Sequence, residues 1–212
     1  MTPIEKFRAA TGRLPLVAIL RGLTPVEAPS IGHALTATGF ALLEVPLNSP
    51  SPLDSIALLA RQHPQALVGA GTVLTPAQVR EVHGAGGELI VSPNFNAEVV
   101  REAVRLGMVC LPGIMTPTEA FAALAAGAHG LKLFPAELAS PAVVKALLAV
   151  LPAETLLLPV GGIAPDNMTA WLAAGARGFG IGSSLYKPGK SASVVQHDAT
   201  EFVASYAGLT RA

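Results

Sequence analysis

Short apolar segments recur along the chain, and segments with a helical pattern separate them. The apolar segments have few alternating polar positions, which is typical of strands buried on both faces of a parallel sheet. Eight such segments follow one another at regular intervals, each long enough for one strand. They are LVAIL (16–20), ALLEVPL (41–47), ALVGAGT (66–72), LIVSP (89–93), VCLPGI (109–114), GLKLFP (130–135), LLLPVGG (156–162) and GFGIGSS (178–184).

The intervening segments carry the start and stop signals of helices. Several open with serine or threonine followed by proline, which pairs a capping oxygen with a residue that loses no hydrogen bond at the first helical position. These openings are Thr24-Pro25, Ser51-Pro52, Thr75-Pro76, Thr116-Pro117 and Ser140-Pro141. Several predicted helices then end at a glycine, namely Gly39, Gly107, Gly127 and Gly175.

Eight strands that alternate with helices predict a (β/α)8 TIM barrel, an α/β fold, in a single domain over residues 1–212. The alternative is an open, doubly wound sheet. The regular units and the lack of an early glycine-rich dinucleotide motif favour the barrel. In a barrel, the active site lies at the carboxyl ends of the strands, so the polar residues at those ends are the candidates for chemistry.

Composition narrows the class of protein. The chain has 212 residues, and its 14 basic and 14 acidic residues give a formal net charge of zero, so nucleic acid is not an expected partner. The apolar segments are too short to span a membrane, and the first residues lack the apolar core of a signal peptide. The single cysteine, Cys110, excludes an intrachain disulfide. We therefore expect a cytoplasmic protein without a membrane partner.

Two charged residues lie inside predicted strands. Lys132 stands between Leu131 and Leu133, and Glu44 lies in the second apolar segment. Burial lowers the pKa of a lysine, which leaves free amine to attack a carbonyl group. A nearby carboxylate can move the protons of the resulting imine. If both side chains point into the mouth of the barrel, they form a candidate catalytic pair.

Further polar groups are predicted at the same edge. Arg21 follows the first strand and offers a planar fork for a carboxylate, and Thr72 at the end of the third strand offers a hydroxyl donor. Glycines and serines follow the last two strands, where many barrels bind phosphate through backbone amides. These residues are Gly161, Gly162, Gly182, Ser183 and Ser184.

Each of these signals also has a purely structural interpretation. A buried pair of lysine and glutamate occurs without catalysis, and two adjacent glycines can simply form a turn. Lys187, in a polar segment, is interpreted as a solvated side chain, and Cys110 as a small packed hydrophobe. His33, His63 and His83 have no metal-ligand spacing. The catalytic interpretation is favoured because the candidate groups fall on one predicted face.

Seven motifs together resemble the 2-keto-3-deoxy-6-phosphogluconate and -galactonate aldolases. They are AILRG, EVPLNSP, GAGTVL, SPN, PG, LKLFP and VGGI, in this order, and the similarity covers residues 14–205. The resemblance implies a (β/α)8 barrel, a homotrimer, and imine chemistry with neither metal nor organic cofactor. It implies that Lys132 forms the imine and that Glu44 is the acid and base. It also implies that the substrate is bound by Arg21, Thr72, Pro93, Val160, Gly161, Gly162, Gly182 and Ser183.

Two of the motifs resemble the galactonate branch. EVPLNSP places Asn48 where the gluconate branch has arginine, and VGGI places Val160 where that branch has threonine, whereas Glu137 in FPAE is more similar to the gluconate branch. The expected substrate is a phosphorylated keto sugar acid, 2-dehydro-3-deoxy-6-phospho-D-galactonate, cleaved to pyruvate and D-glyceraldehyde 3-phosphate. The alternatives are its gluconate epimer as the main substrate, a phosphosugar isomerase or epimerase on a similar barrel, and a binding protein without turnover.

Overall fold

The structure is a computed structural model that describes residues 1–210. Arg211 and Ala212, the last two residues of the predicted domain, lie outside the described residues. Within the described range, helices and strands alternate along the chain, as the sequence predicts. The helices are α1 (Pro3–Arg13), α2 (Ala28–Ala37), α3 (Pro52–Gln62), α4 (Pro76–Gly84), α5 (Ala97–Arg105), α6 (Pro117–Ala125), α7 (Pro141–Leu148), α8 (Met168–Ala173) and α9 (Ala192–Thr210).

All of the strand pairs are parallel. The strands are β1 (Leu16–Ile19), β2 (Leu42–Pro46), β3 (Leu67–Gly71), β4 (Leu89–Val91), β5 (Val109–Leu111), β6 (Gly113–Ile114), β7 (Leu131–Leu133), β8 (Leu157–Pro159) and β9 (Phe179–Ile181). Their residues are buried throughout, as expected for a sheet that is covered on both faces.

The strands form two sheets. One has the order β5-β4-β3-β2-β1-β9, and the other has the order β6-β7-β8. A single bridge between Val160 and Gly180 links the end of β8 to β9. Neighbouring strands therefore follow chain order, with helices between them, and the parallel sheet curls so that residues from seven strands line one small internal cavity.

The fifth apolar segment does not form one strand. It divides into β5 and β6 at Pro112, which has no backbone N–H to donate. β5 pairs with β4, whereas β6 pairs with β7. The Pro112 carbonyl still accepts a hydrogen bond of 2.9 Å from the Lys132 amide. The change of partner at one proline explains why nine strands stand in the described residues where the sequence predicts eight.

The helix signals are largely confirmed. The Thr116 hydroxyl and the Glu119 carboxylate form a capping box at the start of α6, and α3, α4 and α7 begin at their prolines. The capping oxygen is wrong at Ser51 and Ser140, whose side chains form no capping hydrogen bond. Thr24-Pro25 is wrong as a helix start, because α2 begins at Ala28. The Glu27 carboxylate accepts hydrogen bonds from the Thr24 amide and hydroxyl, which makes a turn ahead of the helix.

The N-terminal helix covers the end of the strands opposite to the predicted site. Phe7 and Ala10 of α1 pack in a second apolar core with inward-facing strand residues such as Leu42, Leu67 and Val109. Lys6 forms an ion pair of 2.6 Å with Glu88, just before β4. Because this end is filled by apolar side chains, the carboxyl ends of the strands are the side that is left open for a ligand.

Candidate active site

A cavity of about 630 Å³ opens at the carboxyl ends of the strands. Its wall comes from the segments that follow β1, β2, β7, β8 and β9. The structure brings seven of the ten residues that the resemblance assigns to the site to this wall, although they are scattered over 163 positions of the sequence from Arg21 to Ser183. The seven are Arg21, Lys132, Val160, Gly161, Gly162, Gly182 and Ser183.

Lys132 lies at the floor of the cavity, on the middle position of β7. The residue is only 7% exposed. Its Nζ lies 4.6 Å from the centre of the Phe134 ring, which gives the ammonium a cation–π contact. Burial lowers the pKa of Lys132, the Glu44 carboxylate raises it, and Arg21 lowers it further. The net effect is a lowered pKa, which favours the free amine that a nucleophile needs.

Glu44 lies deeper, in a small internal cavity below the main one. Lys132, Ile19 and Val160 line both cavities, so the two spaces meet at the lysine. Glu44 is 1% exposed, and burial raises the pKa of Glu44 to about 7, against the opposing effect of the Lys132 and Arg21 charges. A carboxyl group with a pKa near neutrality can both accept and return a proton.

The Glu44 carboxylate has space because β3 ends in glycine. A Cβ atom at Gly71 would collide with both Glu44 carboxylate oxygens, so only glycine fits here. The Glu44 Oε2 atom is buried, and no hydrogen-bond partner is found for it among the described residues. Glu44 and Lys132 interact electrostatically, but no direct ion pair between them is found in the part of the chain that the structure describes. The carboxylate is therefore free to exchange a proton with a bound ligand.

Arg21 follows β1 at the rim of the cavity. Its Nη1 atom donates a hydrogen bond of 2.8 Å to the Asn48 side-chain oxygen in the segment after β2. Both side chains are exposed and line the cavity. The contact holds the guanidinium above the floor that carries Lys132, where it can pair with the carboxylate of a ligand.

Gly161 and Gly162 form a sharp loop after β8. Their φ angles are +115° and +64°, a region in which residues with a side chain are rarely found. Asn167 fixes the loop, because its Nδ2 atom donates to the Gly162 carbonyl at 2.8 Å and its Oδ1 atom accepts from the Ala164 amide at 3.1 Å. The loop presents bare backbone to the cavity, which suits close approach of an anion.

The segment after β9 forms the neighbouring part of the wall. Ser183 is exposed towards the cavity, whereas the Ser184 hydroxyl donates a hydrogen bond of 2.7 Å to the Ile163 carbonyl. Ser184 therefore ties the two loops together and leaves Ser183 available to a ligand. Gly182 shapes the turn, since its carbonyl accepts from the amides of Leu185 and Tyr186.

Two predicted residues lie away from the main cavity wall. Thr72 directly follows Gly71 and has a φ angle of +58°, which is unusual for a β-branched residue. Pro93 packs its backbone against Gly113. Among the described residues, neither is part of the lining of the 630 Å³ cavity. Their substrate-binding roles stay predictions.

Sequence reasoning assigned no site role to several residues that line the cavity. Phe134, Lys187 and Pro188 are among them. Lys187 is exposed, as its interpretation as a solvated side chain requires, but it is exposed at the cavity. The one feature of the sequence that could have indicated this position is that Lys187 follows the glycine- and serine-rich end of the last strand.

A possible metal-binding group lies on the exposed side of α9. His197, Asp198 and Glu201 have ligand atoms within 4.8 Å of one another. Asp198 forms an ion pair with Lys190, and His197 lies 3.5 Å from Glu201. Because Asp198 is already paired with Lys190, and exposed acidic groups are common without an ion, we assign no metal to the group. None of the helices in residues 1–210 is long and apolar enough to cross a membrane.

Comparison with known proteins identifies the family. The model of the KDPG and KHG aldolase family matches residues 8–203. The probable 2-dehydro-3-deoxy-6-phosphogalactonate aldolase of Rhizobium meliloti is 51% identical over 91% of both chains. The 2-dehydro-3-deoxy-6-phosphogalactonate aldolase of Escherichia coli is 47% identical over 92% of this chain and 95% of its own. The KHG/KDPG aldolase of Escherichia coli is 35% identical over 77% of this chain and 76% of its own.

Solved structures give the same result. A native KDPGal structure superposes with a TM-score of 0.93 at 45% identity, covering 94% of this chain and 98% of that one. A cube-shaped protein cage designed by fusing symmetric oligomeric domains matches with a TM-score of 0.92 at 46% identity, over 94% of this chain and 74% of that one. With Lys132 and Glu44 buried below an open cavity and the family model matched over most of its length, this chain belongs to the KDPG and KHG aldolase family.

Proposed function

We propose that this aldolase cleaves 2-dehydro-3-deoxy-6-phospho-D-galactonate to pyruvate and D-glyceraldehyde 3-phosphate through an imine on Lys132. The observation that carries the proposal is the position of Lys132. Its amine is buried at the floor of an open cavity, next to a carboxyl group with a pKa of about 7. A buried amine of lowered pKa attacks ketones, which is the first step of imine catalysis.

The reaction follows from the two buried groups. The Lys132 Nζ atom adds to the C2 ketone to give a carbinolamine. Protonated Glu44 then gives its proton to the departing hydroxyl group, so that water leaves and a protonated imine remains beside the Glu44 carboxylate. Glu44 takes the proton of the C4 hydroxyl, the C3–C4 bond breaks, and its electron pair moves into the imine to form an enamine. The aldehyde leaves. Glu44 returns the proton to C3, and water then hydrolyses the imine, which releases pyruvate and restores the amine. The protonated imine is the electron sink, so the proposed route uses neither a metal nor an organic cofactor.

The cavity accommodates both ends of such a substrate. Arg21, fixed by Asn48, is the proposed partner of the C1 carboxylate. Gly161, Gly162 and Ser183, which follow β8 and β9, also line the cavity and are the proposed phosphate site. Thr72, Pro93, Val160 and Gly182 are proposed to complete the substrate contacts. Anchors at both ends hold the C3–C4 bond between Lys132 and Glu44.

The proposed main substrate is the galactonate epimer and not the gluconate epimer. The relatives that are 51% and 47% identical are named as galactonate enzymes, whereas the KHG/KDPG aldolase is 35% identical. Val160, which is buried and lines the cavity, offers no hydrogen bond to the sugar-acid chain. Membership of an aldolase family also argues against an isomerase, an epimerase or a binding protein without turnover.

We further propose that the two sheets belong to one closed (β/α)8 barrel, formed by a single domain. The Val160–Gly180 bridge and the Lys132–Pro112 hydrogen bond support closure at both junctions.

A homotrimer is supported by the likeness to a cage built from symmetric oligomeric domains and by exposed apolar side chains. Examples are Leu74, Phe121 and Leu138. Sedimentation analysis would test the trimer. A cytoplasmic location also stays a proposal.

Trapping with pyruvate and borohydride tests the reaction. The imine would be reduced to a stable pyruvyl adduct, which peptide mass spectrometry can locate. We expect the adduct on Lys132, its loss in Lys132→Ala together with aldol cleavage, and normal trapping and cleavage in Lys145→Ala, which changes an exposed lysine of α7. An adduct on another lysine, or normal cleavage by Lys132→Ala, would refute the proposal.

A further inference from the structure

Glu137 occupies an unexpected position for an acidic side chain. It lies in the short 3-10 helix Ala136–Leu138 after β7 and lines the main cavity. Its carboxylate fills the space that a Cβ atom at Gly161 would occupy, and its Cγ atom lies 3.1 Å from the Cβ position of Gly162. The carboxylate therefore rests directly against the loop that is the proposed phosphate site.

The loop is shaped to admit such a group. Both glycines have positive φ angles, and Asn167 holds the loop in place through the Gly162 carbonyl. The backbone at Gly161 is bare on the cavity side, so an anionic oxygen can approach it closely. A carboxylate of Glu137 and a phosphate of a ligand would thus occupy the same part of the cavity.

No specific contact holds Glu137 there. The residue is exposed, and neither a hydrogen bond nor an ion pair is found for it among the described residues. A long, exposed glutamate side chain can change rotamer at small cost. The carboxylate can therefore leave the loop when another anion arrives.

We propose that Glu137 competes with the phosphate of ligands for the Gly161–Gly162 loop and so weakens their binding. This inference rests on the proposed phosphate site. Two anions in one volume repel each other, and the repulsion is only partly screened in a cleft. Phosphate binding must therefore either displace the Glu137 carboxylate or overcome its charge. In this role Glu137 sets affinity and takes no part in bond cleavage.

The kinetic consequence follows from the phosphate charge, which does not change when the C3–C4 bond breaks. Relief of the repulsion therefore stabilises the bound substrate and the transition state equally. Removing the competing charge should lower KM and leave kcat unchanged. The alternative role of Glu137 is to accept a hydrogen bond from a substrate hydroxyl. That role predicts the opposite sign, a higher KM when the carboxylate is removed.

The experiment compares Glu137→Gln and Glu137→Ala with Glu81→Gln, which removes one exposed charge from α4 and so matches the change in net charge. Calorimetry measures the affinity of inorganic phosphate, and a coupled pyruvate assay measures KM and kcat. We expect phosphate to bind roughly three- to tenfold more tightly in both Glu137 variants, with KM falling by a similar factor. Glu81→Gln should resemble the wild type.

The outcomes separate this inference from the proposed function. Unchanged or weaker phosphate binding in Glu137→Gln, or no phosphate binding to any variant, overturns the competition. Calorimetry needs no turnover, so tighter phosphate binding supports the competition even if cleavage of the galactonate substrate fails. Pyruvate trapping on Lys132, measured in the same variants, tests the imine independently. Normal trapping with unchanged phosphate affinity would overturn this inference and leave the proposed chemistry standing.

Discussion

The Glu44 carboxylate lies over Gly71, in the space that a side chain at position 71 would fill. The contact joins β2 to the end of β3 and determines where the buried carboxyl group can sit. A methyl group at Gly71 would overlap both carboxylate oxygens, so the carboxylate would have to move away from its place beside Lys132. The absence of a Cβ atom at Gly71 thus allows the position of Glu44, the proposed acid and base.

The first prediction is that Gly71→Ala inactivates the enzyme without removing a catalytic group. Because proton transfer depends on position, we expect kcat to fall on the order of a hundredfold. Steady-state cleavage assays measure this effect. Gly84→Ala is the control, since a Cβ atom at Gly84 has no neighbour within 4 Å. Wild-type kcat in folded Gly71→Ala would show that the place of the Glu44 carboxylate does not matter.

The second prediction concerns pH and stability. The pKa of Glu44 is about 7 in the folded protein against an ordinary value of 4.5, so folding favours its protonated form. Glu44 therefore destabilises the fold increasingly as the pH rises from 4.5 to about 7, by an amount on the order of 3 kcal/mol, and by a constant amount above that. Below pH 4.5 this penalty is absent.

Glu44→Gln should remove that penalty. We expect the free energy of unfolding of the variant, relative to the wild type, to be higher at pH 8 than at pH 5, although cleavage is lost. The gain is reduced because Lys132 loses a compensating charge. Urea unfolding at the two pH values measures the difference, with Glu81→Gln as the control. The same pH dependence in Glu44→Gln and wild type would contradict the raised pKa of Glu44.

The third prediction is that Asn48 acts through Arg21. Asn48→Ala removes the oxygen that accepts from the guanidinium, so KM should rise several-fold, and Arg21→Ala should raise KM further. In the Arg21→Ala background, Asn48→Ala should add little, because its partner is already absent. Kinetics of the two single variants and the double variant measure the coupling. Fully additive effects on KM would mean that Asn48 binds the substrate independently.

The fourth prediction concerns the phosphate loop. Asn167→Ala removes both ties to the loop, and Ser184→Ala removes the hydrogen bond to Ile163. Each should raise KM for the phosphorylated substrate roughly three- to tenfold, whereas borohydride trapping of pyruvate on Lys132 should stay unchanged. Thr200→Ala, which loses a hydroxyl-to-carbonyl bond within α9, is the control. An equal loss of pyruvate trapping would show a general structural defect instead.

Much of the fold could be predicted from local patterns. Apolar segments of strand length, proline after a capping residue, and glycine at helix ends act within a few residues, and each is visible in the sequence. The four glycines predicted to end helices each lie two residues after the last helical residue and have positive φ angles; they are Gly39, Gly107, Gly127 and Gly175. The division at Pro112 and the late start of α2 were not predicted, because they depend on the strand partner and on a local carboxylate turn.

The candidate site, like the fold, has features that local sequence reveals and features that depend on tertiary contacts. Lys132 and Glu44 stand out in the sequence because a charge inside an apolar strand needs a reason, and parallel strands that alternate with helices bring their carboxyl ends to one edge. The sequence by itself therefore determined the order of the elements, the two buried charges and the face on which they meet.

Only the tertiary structure decided how these groups touch. The contact between Gly71 and Glu44, the hydrogen bond from Arg21 to Asn48, and the position of Glu137 against Gly161 each join residues that are 24 to 27 positions apart and belong to different βα units. Their geometry depends on strand register and on the packing of loops, which no local pattern encodes. Strand register and loop packing set the side-chain distances of a few ångströms on which reactivity depends.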